Sequence, residues 1–178
     1  MKFAVVLLFS AAAVWAQAPL KLVNTPTTEK AGVPRKVFAD LESNFDFKIR
    51  GASDKDPIDL LGLTRGLYLP GYGAVFTTEV SLVVNPGISP FKQKITPEEA
   101  ARVRQRKLAN LPLLKKTMQS LWRDAAMGLT SMPESEQVVF AVRVLYQPWE
   151  DTAGLPGQIV MKGARKAVLS GDIQTEEQ

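Results

Sequence analysis

The stretch of residues 66–82, GLYLPGYGAVFTTEVSL, limits the possible folds of this chain more than any other. From Ala74 to Val84, alternate residues share one side of an extended chain, which is the period of a strand with one face in a core. The Pro70–Gly71 pair before it suits a type II turn, and residues 58–69 are mostly apolar. The pattern predicts a β-hairpin. A phosphate-binding loop would require a helix directly after the glycines, where this pattern indicates a strand.

A long helix is predicted to begin after Thr96. Thr96 and Glu99 form the T-x-x-E pattern of a capping box, in which each side chain binds the backbone N–H of the other residue. Apolar residues then recur at helical spacing as far as Ala125. Pro112 interrupts this pattern, and an interior proline costs a helix roughly 3 kcal/mol. We therefore expect a kink or a short break near Asn110, with helix on both sides.

Three further elements complete the predicted fold. Apolar residues at helical spacing between Pro34 and Phe45 predict a short amphipathic helix. Residues 137–147 are rich in β-branched and aromatic residues and predict a buried strand, and residues 158–167 predict a final strand. The resulting order, α-β-β-α-β-β, predicts an α+β fold in which helices pack on one face of an antiparallel sheet.

The length of the chain, 178 residues, agrees with a single compact domain. We assign this domain to residues 34–169. Residues 17–33 mix Pro, Thr, Lys and Gly without periodicity and are predicted to form a flexible leader. Residues 170–178 are predicted to form a polar tail.

The first residues predict export. Lys2 precedes an apolar run over residues 3–14, and small residues follow at positions suited to cleavage after Ala16. The run is too short to cross a bilayer as a stable helix, which needs about 20 apolar residues, although a retained membrane anchor is the alternative. We predict a signal peptide over residues 1–16, a periplasmic or secreted protein, and no membrane span after its removal.

The chain contains no histidine and no cysteine. Their absence excludes disulfides, catalytic systems built on histidine or cysteine, and nearly all zinc, haem and iron–sulfur ligation. Carboxylate, lysine, serine and tyrosine chemistry remains possible. We predict neither a metal site nor a cofactor, and no stretch of the chain carries a motif that identifies an enzyme family.

One carboxylate is a weak catalytic candidate. Glu79 lies on the polar face of the predicted hairpin strand, where it could serve as a general acid. A lone glutamate on a strand is usually solvated or paired with a cross-strand cation, and Arg65 or Arg143 could be that cation. A catalytic role normally needs a second titratable group beside it, so a glutamate that is solvated or paired is the favoured interpretation.

Two aromatic residues are candidate ligand-binding residues. Tyr72 and Trp149 each lie in a loop rich in Gly and Pro beside a strand. Exposed aromatic rings offer a large contact area with little conformational entropy to lose. The alternative is that both rings fold back and cover the ends of the sheet.

The long helix is locally basic and is a candidate surface for an anionic partner. Its candidate residues are Arg102, Arg106, Lys115 and Lys116. A membrane surface could dock there, although charged outer faces are also the usual way in which a long helix stays soluble. The formal net charge of +4 is mild, so nucleic acid is an unlikely partner.

Three functional hypotheses follow from the sequence. The first is an exported, non-enzymatic binding or assembly module of the cell envelope, with an envelope protein or an unidentified ligand as its partner. The second is a carboxylate-dependent hydrolase or transferase that uses Glu79. The third is an envelope-associated adaptor that docks through the basic helix, with peripheral membrane contact.

Overall fold

The structure is a computed structural model that describes residues 32–86, 94–172 and 174–178. The predicted signal peptide, and the predicted leader up to residue 31, lie outside these residues. Within them the chain forms three helices and five strands. The elements are α1 (Arg35–Arg50), β1 (Asp59–Leu69), β2 (Gly73–Ser81), α2 (Pro97–Gly128), β3 (Gln137–Val144), β4 (Gln158–Ala164), α3 (Arg165–Ser170) and β5 (Gln174–Glu177). No helix in the described part of the chain is both long enough and apolar enough to cross a membrane.

The predicted hairpin is present. Strands β1 and β2 pair in antiparallel orientation, and the Tyr72 N–H donates to the Leu69 carbonyl oxygen across the turn at 2.9 Å. Gly71 has a φ of 84°, as the third position of a type II turn requires. Gly73 has a φ of 139° and lies against the backbone of Gln137, where a Cβ would come within 1.9 Å of the carbonyl oxygen. Gly71 therefore belongs to the turn and Gly73 to the start of β2, and neither lies in a phosphate-binding loop because a strand follows them.

The five strands form one sheet in the order β1-β2-β3-β4-β5. The α+β class is confirmed, but the prediction of a wholly antiparallel sheet is wrong at its centre, because β2 and β3 are parallel. Helix α2 connects these two strands and returns the chain to the end of the sheet where β2 begins. A long crossover of this kind permits parallel pairing, whereas a hairpin requires antiparallel pairing.

The C-terminal part of the chain also differs from its prediction. Strand β4 ends at Ala164, three residues before the predicted end, and the chain continues as α3. Residues 174–177 of the predicted polar tail form β5, which pairs with β4 in antiparallel orientation. The sequence did not predict this strand because it is short and polar and shows no alternation of apolar residues. Its pairing with β4 is made by backbone groups, which do not distinguish one sequence from another.

Helix α2 runs without a break from Pro97 to Gly128, so the expected interruption near Asn110 is not observed. The capping box is present: the Thr96 side chain accepts from the Glu99 N–H at 3.3 Å, and the Glu99 carboxylate accepts from the Thr96 N–H at 3.1 Å. Asn110 is buried, and its side-chain amide donates to the carbonyl oxygens of Asp56 and Leu82 at 2.7 Å. Tertiary contacts on this turn of the helix offset the local cost of the proline.

The core combines buried side chains of the two long helices with buried side chains of the sheet. Phe45 of α1 packs on the rings of Phe76 in β2 and Phe140 in β3, with centroids 5.0 and 4.9 Å away. The Trp122 indole N–H of α2 donates to the Val138 carbonyl oxygen at 2.8 Å. We call the face that carries Phe76 and Phe140 the core face. That all helices pack on this one face stays a prediction.

Carboxylates of α1 bind the free edge of β1. The Thr64 N–H donates to Asp46 at 2.8 Å and the Gly66 N–H donates to Glu42 at 2.8 Å. Burial raises the pKa of Glu42. Hydrogen bonds from Arg35 and Gly66, with the charges of Arg35 and Arg65, lower this pKa by more than burial raises it, so the net shift is downward. These bonds occupy backbone donors that an edge strand would otherwise offer to another chain.

Candidate functional site

The second face of the sheet bears side chains that are largely exposed, and we call it the open face. On β1, the side chains of Leu63, Leu67 and Leu69 point outward and are 51%, 50% and 44% exposed. Leu67 pairs with Val75 of β2, which pairs in turn with Val139 of β3. Because alternate residues of a strand point to opposite sides, the apolar residues of β1 are divided between the two faces. The open face therefore presents an apolar band on β1 and β2 that continues to Val139 of β3, which is itself buried.

A shallow concavity of about 470 Å³ lies on the open face beside this band. Small residues form its floor, since Gly62, Thr77 and Ala141 bring little side-chain volume to adjacent strands. Longer side chains surround the floor. They are Leu63, Arg65, Glu79, Arg143 and Gln158. The arrangement offers a partner both an apolar contact and charged groups.

The charges on the open face are only partly paired. Glu79 lies directly opposite Arg143, and its Oε1 is 3.4 Å from a guanidinium nitrogen of that arginine. Both side chains are exposed, so this contact is a weak surface pair. Arg65 is exposed and, among the described residues, makes no ion pair or hydrogen bond through its side chain. The open face thus has a surplus of positive charge at Arg65.

The structure places Glu79 in the paired state, one of the two states that the sequence favoured. Its partner is Arg143, one of the two cations that the sequence suggested. No group of three or more acidic residues within the described ranges is placed to hold a metal ion. The arrangement around Glu79 offers one half-exposed carboxylate and two guanidinium groups, a set suited to binding charged groups of a partner.

The two aromatic candidates lie at opposite ends of the sheet. Tyr72 is 42% exposed in the β1–β2 turn, next to the beginning of β3. Trp149 follows the far end of β3 and is half-buried in a depression formed with Arg104 and Asp151. Because β2 and β3 are parallel, the turn before β2 and the loop after β3 cannot meet. The two rings therefore do not form one binding surface.

The four basic candidates on α2 differ in whether a carboxylate of the same chain binds them. Arg106 binds Asp56, and Lys115 binds Glu177 of β5 at 2.6 Å. Arg102 and Lys116 are exposed, and the charge of Arg102 lowers the pKa of nearby Glu98. Two of the four cations are thus already neutralised by carboxylates of the same chain.

A buried ion pair was missed by the sequence analysis. Lys107 of α2 and Glu150 of the β3–β4 loop are in contact, and their side chains are 0% and 3% exposed. The Lys107 ammonium also lies 4.9 Å from the ring centroid of Tyr146, whose hydroxyl donates to the Pro156 carbonyl oxygen at 2.7 Å. Burial, with the charge of Glu150, raises the pKa of Tyr146 to about 12. These contacts hold the β3–β4 loop against α2.

A signal for this buried lysine was present in the sequence. Lys107 lies four residues after Val103 and four residues before Leu111, so it belongs to the apolar side of α2. A lysine at such a position is either not buried or is buried together with an acidic partner. Its partner, 43 residues away along the chain, could not be identified from spacing.

Comparisons with known proteins give no relative for this chain: no protein family, no curated protein and no solved structure matches it.

Proposed function

We propose that this protein is an exported, non-enzymatic binding module of the cell envelope whose recognition surface is the open face of its sheet. The observation that carries the proposal is the row of Leu63, Leu67 and Leu69, each about half exposed on strand β1, whose pairing with β2 shifts register on both sides of Gly62. Single exposed apolar residues are ordinary on protein surfaces, but three exposed leucines on one face of a strand, interrupted only by Arg65, are typical of an interaction site.

Covering this row would supply useful binding energy. Full burial of a leucine side chain is worth about 1.5–3 kcal/mol, so covering the exposed half contributes about 1 kcal/mol for each leucine and about 3 kcal/mol for the three. The strand itself is already ordered by its pairing with β2 and by the α1 carboxylates. Little backbone entropy would be lost on the side of this protein when the partner binds.

The chemistry of the open face favours an amphipathic protein segment with at least one carboxylate. Apolar side chains of the segment would cover the leucine row, and the small-residue floor beside it leaves room for their volume. Arg65 makes no ion pair with a described residue, although its charge acts on Glu42 from a distance, whereas Glu79 already faces Arg143. A carboxylate is therefore the complementary group, because it can accept two parallel hydrogen bonds from the Arg65 guanidinium.

Site-specific photo-crosslinking in the producing cell tests this proposal. A benzoylphenylalanine residue replaces Leu67 on the open face or, as the matched control, Leu169 of α3, which is 45% exposed. We expect a discrete protein adduct from position 67 and none from position 169. Adding Leu63→Glu should abolish the adduct at position 67. Equal adducts at both positions, or an adduct that survives Leu63→Glu and Arg65→Glu together, would contradict the proposal.

A further inference from the structure

A second exposed patch lies where α1 and α2 face solvent together. Phe47 of α1 is 78% exposed, and Leu113 of α2 is 38% exposed. The two residues line one shallow depression of about 440 Å³, together with Lys116 and the small residues Gly51 and Ala52. We call Phe47, Leu113, Lys116 and the neighbouring Arg50 the Phe47 patch. Arg50 belongs to it because residues three apart in a helix lie on the same side.

The patch carries two cations without an ion pair among the described residues, beside a third that is paired. Lys48, the next residue after Phe47, binds Asp124 at 2.7 Å and is neutralised by it. Arg50 and Lys116 are exposed and make no ion pair with any residue that the structure describes. The patch thus combines a protruding aromatic ring, a second apolar side chain and two free cations.

We propose that the Phe47 patch docks this protein on an anionic lipid surface. Phe47 and Leu113 enter the boundary between headgroups and acyl chains, while Arg50 and Lys116 contact lipid phosphates. Interfacial binding of this kind depends on apolar area and on electrostatic attraction to anionic lipids acting together. The site differs from the open face and does not depend on the function proposed for that face.

The structure narrows the docking surface that the basic helix suggested. Arg106 and Lys115 are engaged by carboxylates of the same chain, so they offer no free charge to a membrane. Arg102 lies 14 residues from Lys116, which is about 21 Å along the helix. Arg102 adjoins one exposed apolar residue, Val84, whereas Lys116 adjoins two in the Phe47 patch, one of them a protruding aromatic ring. The surface that fits a membrane is therefore the α1–α2 patch.

Vesicle binding by the protein recovered from the extracytoplasmic fraction tests the proposal. We expect the protein to co-sediment with phosphatidylglycerol vesicles and to be released from them by salt. It should bind phosphatidylcholine vesicles only weakly. Lys116→Gln should lower partitioning onto phosphatidylglycerol about fivefold. Phe47→Ser should lower it about tenfold, because the lost ring no longer enters the interface. Both side chains are exposed, so circular dichroism should show an unchanged fold for each variant.

A fluorescent variant locates the contact. Phe47→Trp should shift its emission to the blue on addition of phosphatidylglycerol vesicles, whereas Leu169→Trp, the matched exposed control, should not. The proposal is overturned if Phe47→Ser binds as well as the unmodified protein, if phosphatidylcholine binds equally well, or if the shift occurs at position 169 and not at position 47. The Leu63→Glu variant should retain full vesicle binding, which separates this site from the open face.

Discussion

The two faces of strand β2 share one backbone, but their side chains meet different surroundings. Phe76 on the core face is fully buried, and its ring centroid lies 5.3 and 5.0 Å from those of Phe38 and Phe45. Thr77, the next residue, is exposed on the open face. Since strand neighbours point to opposite sides, stability and recognition can be assigned to alternate residues of one segment. A substitution on one face should therefore leave the other function intact.

Two ion pairs show the same contrast between interior and surface. Lys107 and Glu150 are both almost completely buried, so the charge of each is compensated mainly by the other and not by water. Arg143 and Glu79 are both exposed, and water can solvate either one alone. Similar chemistry thus has a large structural consequence in the interior and a small one on the open face.

The largest expected effect tests the core face. Phe76→Ala should lower the free energy of unfolding by about 3–5 kcal/mol, because a fully buried ring is lost and a cavity remains between Phe38 and Phe45. Denaturant unfolding of the purified protein measures this difference. A loss below about 1 kcal/mol would mean that Phe76 is not in the core and that the two faces are wrongly assigned.

The next prediction concerns the buried ion pair. Lys107→Ala should cost about 3–5 kcal/mol, because Glu150 would remain charged in a buried place without its partner. The double variant Lys107→Met with Glu150→Gln should recover most of that loss, since neither side chain then carries a charge. Arg143→Ala on the open face serves as the control and should leave the unfolding midpoint unchanged. Equal losses for Lys107→Ala and the double variant would show that packing, and not charge, dominates at this position.

A pair of glycines on one strand gives the sharpest comparison of the faces. A Cβ at Gly66 would lie 2.6 Å from ring atoms of both Phe38 and Phe76, whereas at Gly62 the nearest atom, in Glu79, is 3.6 Å away. Gly66→Ala should therefore cost about 1–3 kcal/mol through overpacking. Gly62→Ala should change the unfolding free energy by less than about 0.5 kcal/mol. Thermal unfolding of the two variants side by side checks the difference, and similar values for both would argue against it.

The smallest effect is expected at Thr77, next to Phe76. Thr77→Val removes a hydroxyl from an exposed strand position and keeps the β-branched shape, so stability should stay within about 0.5 kcal/mol of the original value. The measurement is the denaturant midpoint. A clear destabilisation would indicate that the open face is covered by another part of the protein in solution.

Much of the fold was predictable because its signals are local. The hairpin, its turn at Pro70–Gly71, the capping box at Thr96 and the core alternation from Ala74 to Leu82 all depend on residues close together in the chain. Val84 departs from the alternation and is 54% exposed, because β2 already ends at Ser81. Local patterns predict an element well and its end less well.

The candidate site was predictable only in fragments. Glu79 and its partner Arg143 were both named, since opposite charges on neighbouring strands are expected to pair. The exposure of Leu63, Leu67 and Leu69 was not predictable, because apolar residues of a strand are usually assigned to a core. Tyr72 and Trp149 were considered together because they share a loop composition, and the parallel pairing of β2 and β3 then separates them.

The sequence by itself determined six of the eight helices and strands, the α+β class, the type II turn and the absence of histidine and cysteine chemistry. These conclusions hold because backbone preferences and side-chain chemistry act over a few residues. The tertiary structure alone decided the parallel centre of the sheet, the pairing of β5, the continuity of α2 through Pro112 and the burial of Lys107 with Glu150. Each of these depends on contacts between residues far apart in the chain, and no local pattern contains the identity of a distant partner.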